Sequence, residues 1–233
     1  MKDSCDKAWV RGIMAVVRPF LHLKTVGYEN IRKEDGAAVF IGNHGAVFGV
    51  VSAVIYLPVR FKVWLHDVMI IRESAAKTME GTFQNRFRFF GKKFKRKLIW
   101  WISKPVCSAL NSFSPIPVSR TNPMAIPRTL AETIDALCEG YNVLLFPEKP
   151  EGYYGDESYK DIYPAFGILG KKYYDQTGMS LSFYPIFSDK KRRLFSIGKP
   201  VVYSPQSSLR EEAQRIASEV KDKMLKLSGD EPK

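Results

Sequence analysis

The sequence predicts an α/β protein, a single domain whose mixed sheet is flanked by helices, with an amphipathic helix over residues 1–24 ahead of a domain over 25–233. Three observations carry this expectation. Residues 38–42, AVFIG, form an apolar strand-like run, and after Gly42-Asn43-His44-Gly45 a second apolar run of twelve residues follows without Pro or charge, as a buried helix would. Further along, short β-branched and aromatic runs alternate with segments that are apolar at three- and four-residue steps. No internal repeat or linker splits the chain, and 233 residues at 45% hydrophobic content suffice for one full core.

In chain order, residues 6–23 read as the amphipathic helix. Trp9, Val10, Ile13, Val16, Val17 and Phe20 recur at helical steps, with Lys7, Arg11, Arg18 and His22 on another stripe. Such a helix either packs on the domain or lies in a membrane interface. Residues 25–31 form a short strand and turn leading into the central strand, and 61–65 a second short strand. Residues 83–101, FQNRFRFFGKKFKRKLIWW, hold five Phe, two Trp and seven basic residues in nineteen positions. This is a solvated basic helix face with aromatics turned inward, a membrane-attachment surface, or, third, a nucleic-acid surface. No recognisable nucleic-acid module accompanies it, so no nucleic-acid partner is expected.

Residues 113–120 form a strand ending at a basic residue. Residues 123–139 form a helix capped by Asn122 and stopped by Gly140, with Ile126, Leu130, Ile134 and Leu137 inward. Residues 142–146 form a buried strand, 150–159 a loop, and 162–176 a helix closed by Gly178. Residues 181–187 and 194–202 form a hairpin, and a last helix covers about 207–227.

The formal net charge is +12, and between Glu80 and Glu132 there are ten Lys and Arg and no acidic residue. That asymmetry implies a surface for anions, with lipid or nucleic-acid phosphates the natural partners. Three cysteines, Cys5, Cys107 and Cys138, have no metal-type spacing, so neither a disulfide framework nor a zinc site is expected, and the inside of a cell is the expected compartment. No cleavable signal is visible. The uncharged window 37–59 is long enough to span a bilayer on count alone, but the turn at 42–45 cuts it into two pieces too short to do so.

A strand that turns into a helix places its turn at the carboxyl edge of the sheet, where α/β folds bind ligands. His44 is then a candidate catalyst with helix N-terminal amides beside it, although a lone histidine in apolar surroundings also serves as a satisfied core residue. Gly42 and Gly45 allow close backbone approach.

Four blocks in order, GNHG at 42–45, PIPVSR at 115–120, LLFPE at 144–148, and YPIF at 184–187 followed by IGKP at 197–200, resemble the glycerolipid acyltransferase superfamily, which includes 1-acylglycerol-3-phosphate acyltransferases. GYENI at 27–31 looks like the family's lead-in, and the resemblance covers roughly 25–205. It implies an acyltransferase-like fold and transfer of a fatty acyl chain from acyl-CoA or acyl carrier protein to a hydroxyl of a lysophospholipid-like acceptor. By position His44 matches the general base, with Asn43 and Gly45 beside it. Arg120 matches the group that holds the acceptor's phosphate, and Glu148 stands at the acceptor site. The resemblance implies no metal and no bound cofactor, and it implies a peripheral protein on the cytoplasmic side of a phospholipid membrane.

Two positions depart from the family pattern. Gly49 stands where an Asp normally orients the histidine, and FPEKPEG stands where Phe-Pro-Glu-Gly-Thr-Arg is usual, so that Lys149 is the candidate for the missing positive charge. For Gly49 three accounts are open. Asp67, just past the 61–65 strand, supplies the carboxylate, unless it is a helix cap before Val68. A backbone carbonyl or water holds the ring instead. Or the protein has lost the chemistry and only binds lipid.

Overall fold

The structure is a computed structural model and describes residues 5, 7–45, 47–83, 91–119, 121–148 and 162–229, with only the backbone for 81–83 and 92. The expected loop over 150–159, residues 84–90 of the basic aromatic segment, Arg120 and Lys149 lie outside these residues.

The central strand is β2, Ala38–Gly42, five residues buried on both faces. Its odd residues Val39 and Ile41 face one core cluster and its even residues Ala38 and Phe40 face the other, as strand alternation requires. On one side it pairs in parallel with β5 (Asn142–Leu145), register Ile41↔Leu145; on the other it pairs in parallel with β6 (Ser182–Asp189), register Gly42↔Ile186.

Beyond β5 lie β3 (Phe61–His66) and β4 (Ile116–Val118), both parallel to their neighbours. Beyond β6 lie β7 (Leu194–Ile197), antiparallel to it, and β1 (Lys24–Val26), parallel to β7. The path is β1-β7-β6-β2-β5-β3-β4, with β8 (Val201–Val202) also paired to β6, giving a mixed eight-stranded sheet in one domain. The run expected as one strand over 194–202 is two. Gly198-Lys199-Pro200 interrupts it, and β8 pairs with the opposite end of β6, Val202 against Ser182.

Helices cover both faces. α1 (Ala8–Leu21) and α2 (Phe48–Tyr56) pack on the face of Phe40, Leu144 and Tyr184. α5 (Ile126–Cys138), α6 (Ile168–Thr177) and α7 (Leu209–Ser228) cover the face of Val39, Val143 and Phe183. α7 starts with a capping box, Ser208 accepting from the Glu211 amide while the Glu211 carboxylate accepts from the Ser208 amide. The helix expected over 162–176 begins later, because Ile162 forms a bridge with Glu148 and 164–167 is a 3-10 turn.

α3 (Arg72–Phe83) and α4 (Lys92–Asn111) form a helical pair with a small core of Ala76, Met79 and Ile99. The Arg72 guanidinium caps this pair, lying 4.0 Å over the Trp100 ring and donating to the Trp100 carbonyl at 2.9 Å. α1 buries Val10 and Met14 but leaves Trp9, Ile13, Val16 and Phe20 exposed, the last at 78%. Among the described residues no helix is long and apolar enough to cross a membrane.

Candidate active site at the carboxyl edge of the sheet

The connection after β2 runs through α2 on one face, and the connection after β5 runs through α6 on the other. Adjacent parallel strands whose continuing helices diverge to opposite faces leave a crevice at their carboxyl ends. His44 follows β2 and Glu148 follows β5, each three residues beyond the paired Ile41↔Leu145, so the two stand on the neighbouring strand ends that flank this crevice.

The turn carrying His44 is held from three directions. The Asn43 side chain, 6% exposed, donates from Nδ2 to the Ser188 carbonyl at 3.1 Å, and its Oδ1 accepts from the Ser188 amide at 2.8 Å, clamping the turn to β6. Gly45 adopts φ +48°, a left-handed value that glycine takes without a Cβ penalty. Its carbonyl accepts from the Phe48 amide at 3.2 Å, and the His44 carbonyl accepts from the Gly49 amide at 3.2 Å. Two amides of the first turn of α2, expected to face a ligand, are therefore engaged inside the turn itself.

Gly49 is buried at the second position of α2, and a Cβ there would lie 2.0 Å from the Asn43 carbonyl oxygen and 2.8 Å from that of His44. The backbone of the turn rests directly on the backbone of the helix, so the absence of an Asp at this position is built into the main-chain path. On the other side the His44 ring meets Phe146 edge to face, centroids 5.9 Å apart and planes at 78°. Gly42 makes room for that ring, since a Cβ at 42 would meet Phe146 Cε1 at 2.8 Å.

Glu148 is fully buried, and the segment around it is fixed by the bridge to Ile162 and by the Tyr163 amide donating to the Pro147 carbonyl at 2.8 Å. A carboxyl taken out of water at the end of a core strand is a costly placement, of the kind that functional sites maintain.

Asp67 sits past the end of β3, with β5 between it and β2. Its carboxylate lies 2.7 Å from His66 Nδ1, accepts from the Val68 amide at 2.8 Å and is hydrogen-bonded by Ser119. Burial pushes its pKa up, but these hydrogen bonds from Ser119, Val68 and His66 outweigh burial and hold it below the usual carboxylate range. His44 and Glu148 thus stand on the two strand ends that flank the crevice, whereas the Asn43 side chain turns to β6, Gly45 shapes the turn, and Asp67 lies on the β3–β4 side of the same edge. Sequence reasoning passed over Phe146 and Ser188. Phe146 directly precedes the Pro-Glu pair, and Ser188 is the small polar residue that follows the apolar YPIF run.

Among the described residues no cluster of His, Cys, Asp or Glu is placed to hold a metal. No protein-family model, curated protein or solved structure matches the chain.

Proposed function

We propose that the protein is an acyltransferase-like enzyme, peripheral to the cytoplasmic side of a membrane, that moves a fatty acyl chain from a thioester carrier to a hydroxyl of a lysophospholipid-like acceptor. The observation that carries the reading is His44, presented on a clamped turn at a switch-point crevice beside the buried Glu148. In this reading the imidazole takes the acceptor's hydroxyl proton as that oxygen attacks the thioester carbonyl. The tetrahedral intermediate collapses, the C–S bond breaks, and the departing thiolate receives the proton from the imidazolium. An ester and a free thiol result, and neither a metal nor a covalent enzyme intermediate enters the balance. Acyl-CoA or acyl carrier protein supplies the thioester, and Arg120 and Lys149 are the candidate cations for the acceptor's phosphate.

The N-terminal helix supports a membrane setting. It presents Trp9, Ile13, Val16 and Phe20 to solvent while its other face packs into the core, and residues 7–28 contain no acidic side chain.

A second reading is favoured by one observation, the lack of space for any side chain at position 49, where the family's Asp stands. On that reading the protein binds lipid without transferring acyl groups. The deciding experiment is transfer of a labelled acyl chain from acyl-CoA and from acyl carrier protein to a panel of lysophospholipids, for wild type and His44→Ala. Labelled diacyl product that falls by about 10²–10⁴ in the variant supports general-base transfer. Absence of product from every donor and acceptor pair, with lysophospholipid still bound, selects the second reading.

A further inference from the structure

We infer that the outward face of α4 is the surface on which the protein docks to an anionic phospholipid bilayer. Lys93, Lys97, Trp101 and Lys104 follow one another at steps of four, four and three residues, and Phe94 lies seven before Trp101, so these five share one side of the helix. All are exposed, Trp101 at 70% and Phe94 at 54%. The other side of α4 is committed to the fold, with Ile99, Ser103 and Cys107 buried and Ile99 packed against Ala76 and Met79 of α3. The expected inward turn of the aromatics thus holds for neither Phe94 nor Trp101.

The Trp101 indole, exposed to water among three ammonium groups, calls for a partner that is apolar at one depth and anionic at another. A phospholipid surface has that profile: the indole enters the acyl boundary while the lysine stems reach up to the phosphates. No carboxylate lies anywhere between Glu80 and Glu132 to oppose the approach. Single-stranded nucleic acid also pairs aromatics with basic groups, but the neighbouring helix argues for lipid. α1 is joined to α4 where Lys7 Nζ donates to Ser108 Oγ at 2.8 Å, and the middle of its exposed stripe is the aliphatic Ile13 and Val16, side chains that neither bind phosphates nor stack on bases.

The choice of a bilayer rests on the acyl-transfer reading, whereas the contact itself needs no chemistry. Binding is therefore measured by co-sedimentation with vesicles of phosphatidylcholine, alone or mixed with phosphatidylglycerol, with no acyl donor or acceptor present. Wild type is expected on the mixed vesicles, to be released by high salt as the screening length shrinks to about 3 Å at 1 M, and to be absent from pure phosphatidylcholine. Lys97→Ala/Lys104→Ala weakens partitioning roughly thirty-fold, about five-fold per basic residue. Trp101→Ser weakens it as well, and the exposed pair Lys33→Ala/Lys172→Ala, of equal charge change, leaves it unaltered.

Wild type that ignores mixed vesicles, α4 variants that bind like wild type, or tighter binding to a single-stranded oligonucleotide than to vesicles each overturns the inference. Vesicle binding without transfer activity removes the acyl-transfer reading alone. Transfer to a detergent-dispersed acceptor without vesicle binding removes the docking face alone.

Discussion

Replacing Gly49 by alanine tests whether the main-chain path, rather than helix propensity, governs the turn that carries His44. At an open helical position the change would raise stability by about 1 kcal/mol. Here the new Cβ sits 2.0 Å from the Asn43 carbonyl oxygen, and ordinary contact begins at 3.4 Å, so α2 and the turn must separate by about 1.4 Å. Both atoms met are backbone, and the turn cannot yield freely, because Asn43 is tied twice to Ser188. Overpacking costs about 1–3 kcal/mol, and loss of the Gly49 amide bond to His44 adds about 1 kcal/mol.

Set against the propensity gain, the net loss falls toward the upper end, about 3 kcal/mol. For a chain of this size that is a fall in Tm of roughly 6–12 °C. Thermal unfolding followed by circular dichroism reads it, and a Gly49→Ala protein that melts at or above wild type refutes the packing argument. Gly49→Asp meets the same clash and does not raise acyl transfer, although it restores the residue of the family pattern.

Asn43→Ala leaves both the amide and the carbonyl of Ser188 without their buried partner, and urea unfolding should show a loss of about 2–4 kcal/mol. Acyl transfer in that variant falls through kcat more than through KM, since the turn and not the substrate contact is disturbed. Asp67, whose folded-state pKa is depressed, contributes stability that is complete above about pH 5 and is lost as pH falls through the lowered value, below about pH 4. Asp67→Asn is therefore less stable than wild type at pH 7, and melting curves across pH should show the gap closing in acid; a gap that widens there is the opposite of the expected sign.

The sheet was legible where the sequence speaks in short range. Residues 38–42 and 143–145 are apolar because both faces of a central parallel strand are covered, and such runs stand out without any partner being known. The turn of the hairpin and the ends of two helices were legible for the same reason, in Asp189, the Asn122 cap and the Gly178 stop. α4 was not. It continues ten residues past Trp101 and through Pro105, which propensity treats as a stop, because its inner side is held by α3 and the Arg72 cap. The site was half legible. His44 and Glu148 are marked by local motif, but the clamp on Ser188 and the close seat of Gly49 are three-dimensional facts that no local pattern announces. Arg120 and Lys149 remain sequence-level candidates.

The Asn43–Ser188 clamp joins positions 145 residues apart, and it bears on the order in which the chain acquires its working form. β2 leaves the ribosome early, while its two partners, β5 and β6, are encoded roughly 100 and 145 residues later. At typical synthesis rates of about 5–20 residues per second this fully buried strand waits about 7–30 s for its second neighbour. Until then the edge that β6 covers stays open, and the histidine turn lacks its clamp. A chain released before β6 is complete lacks that clamp, and it exposes an open edge of the central strand to other nascent chains.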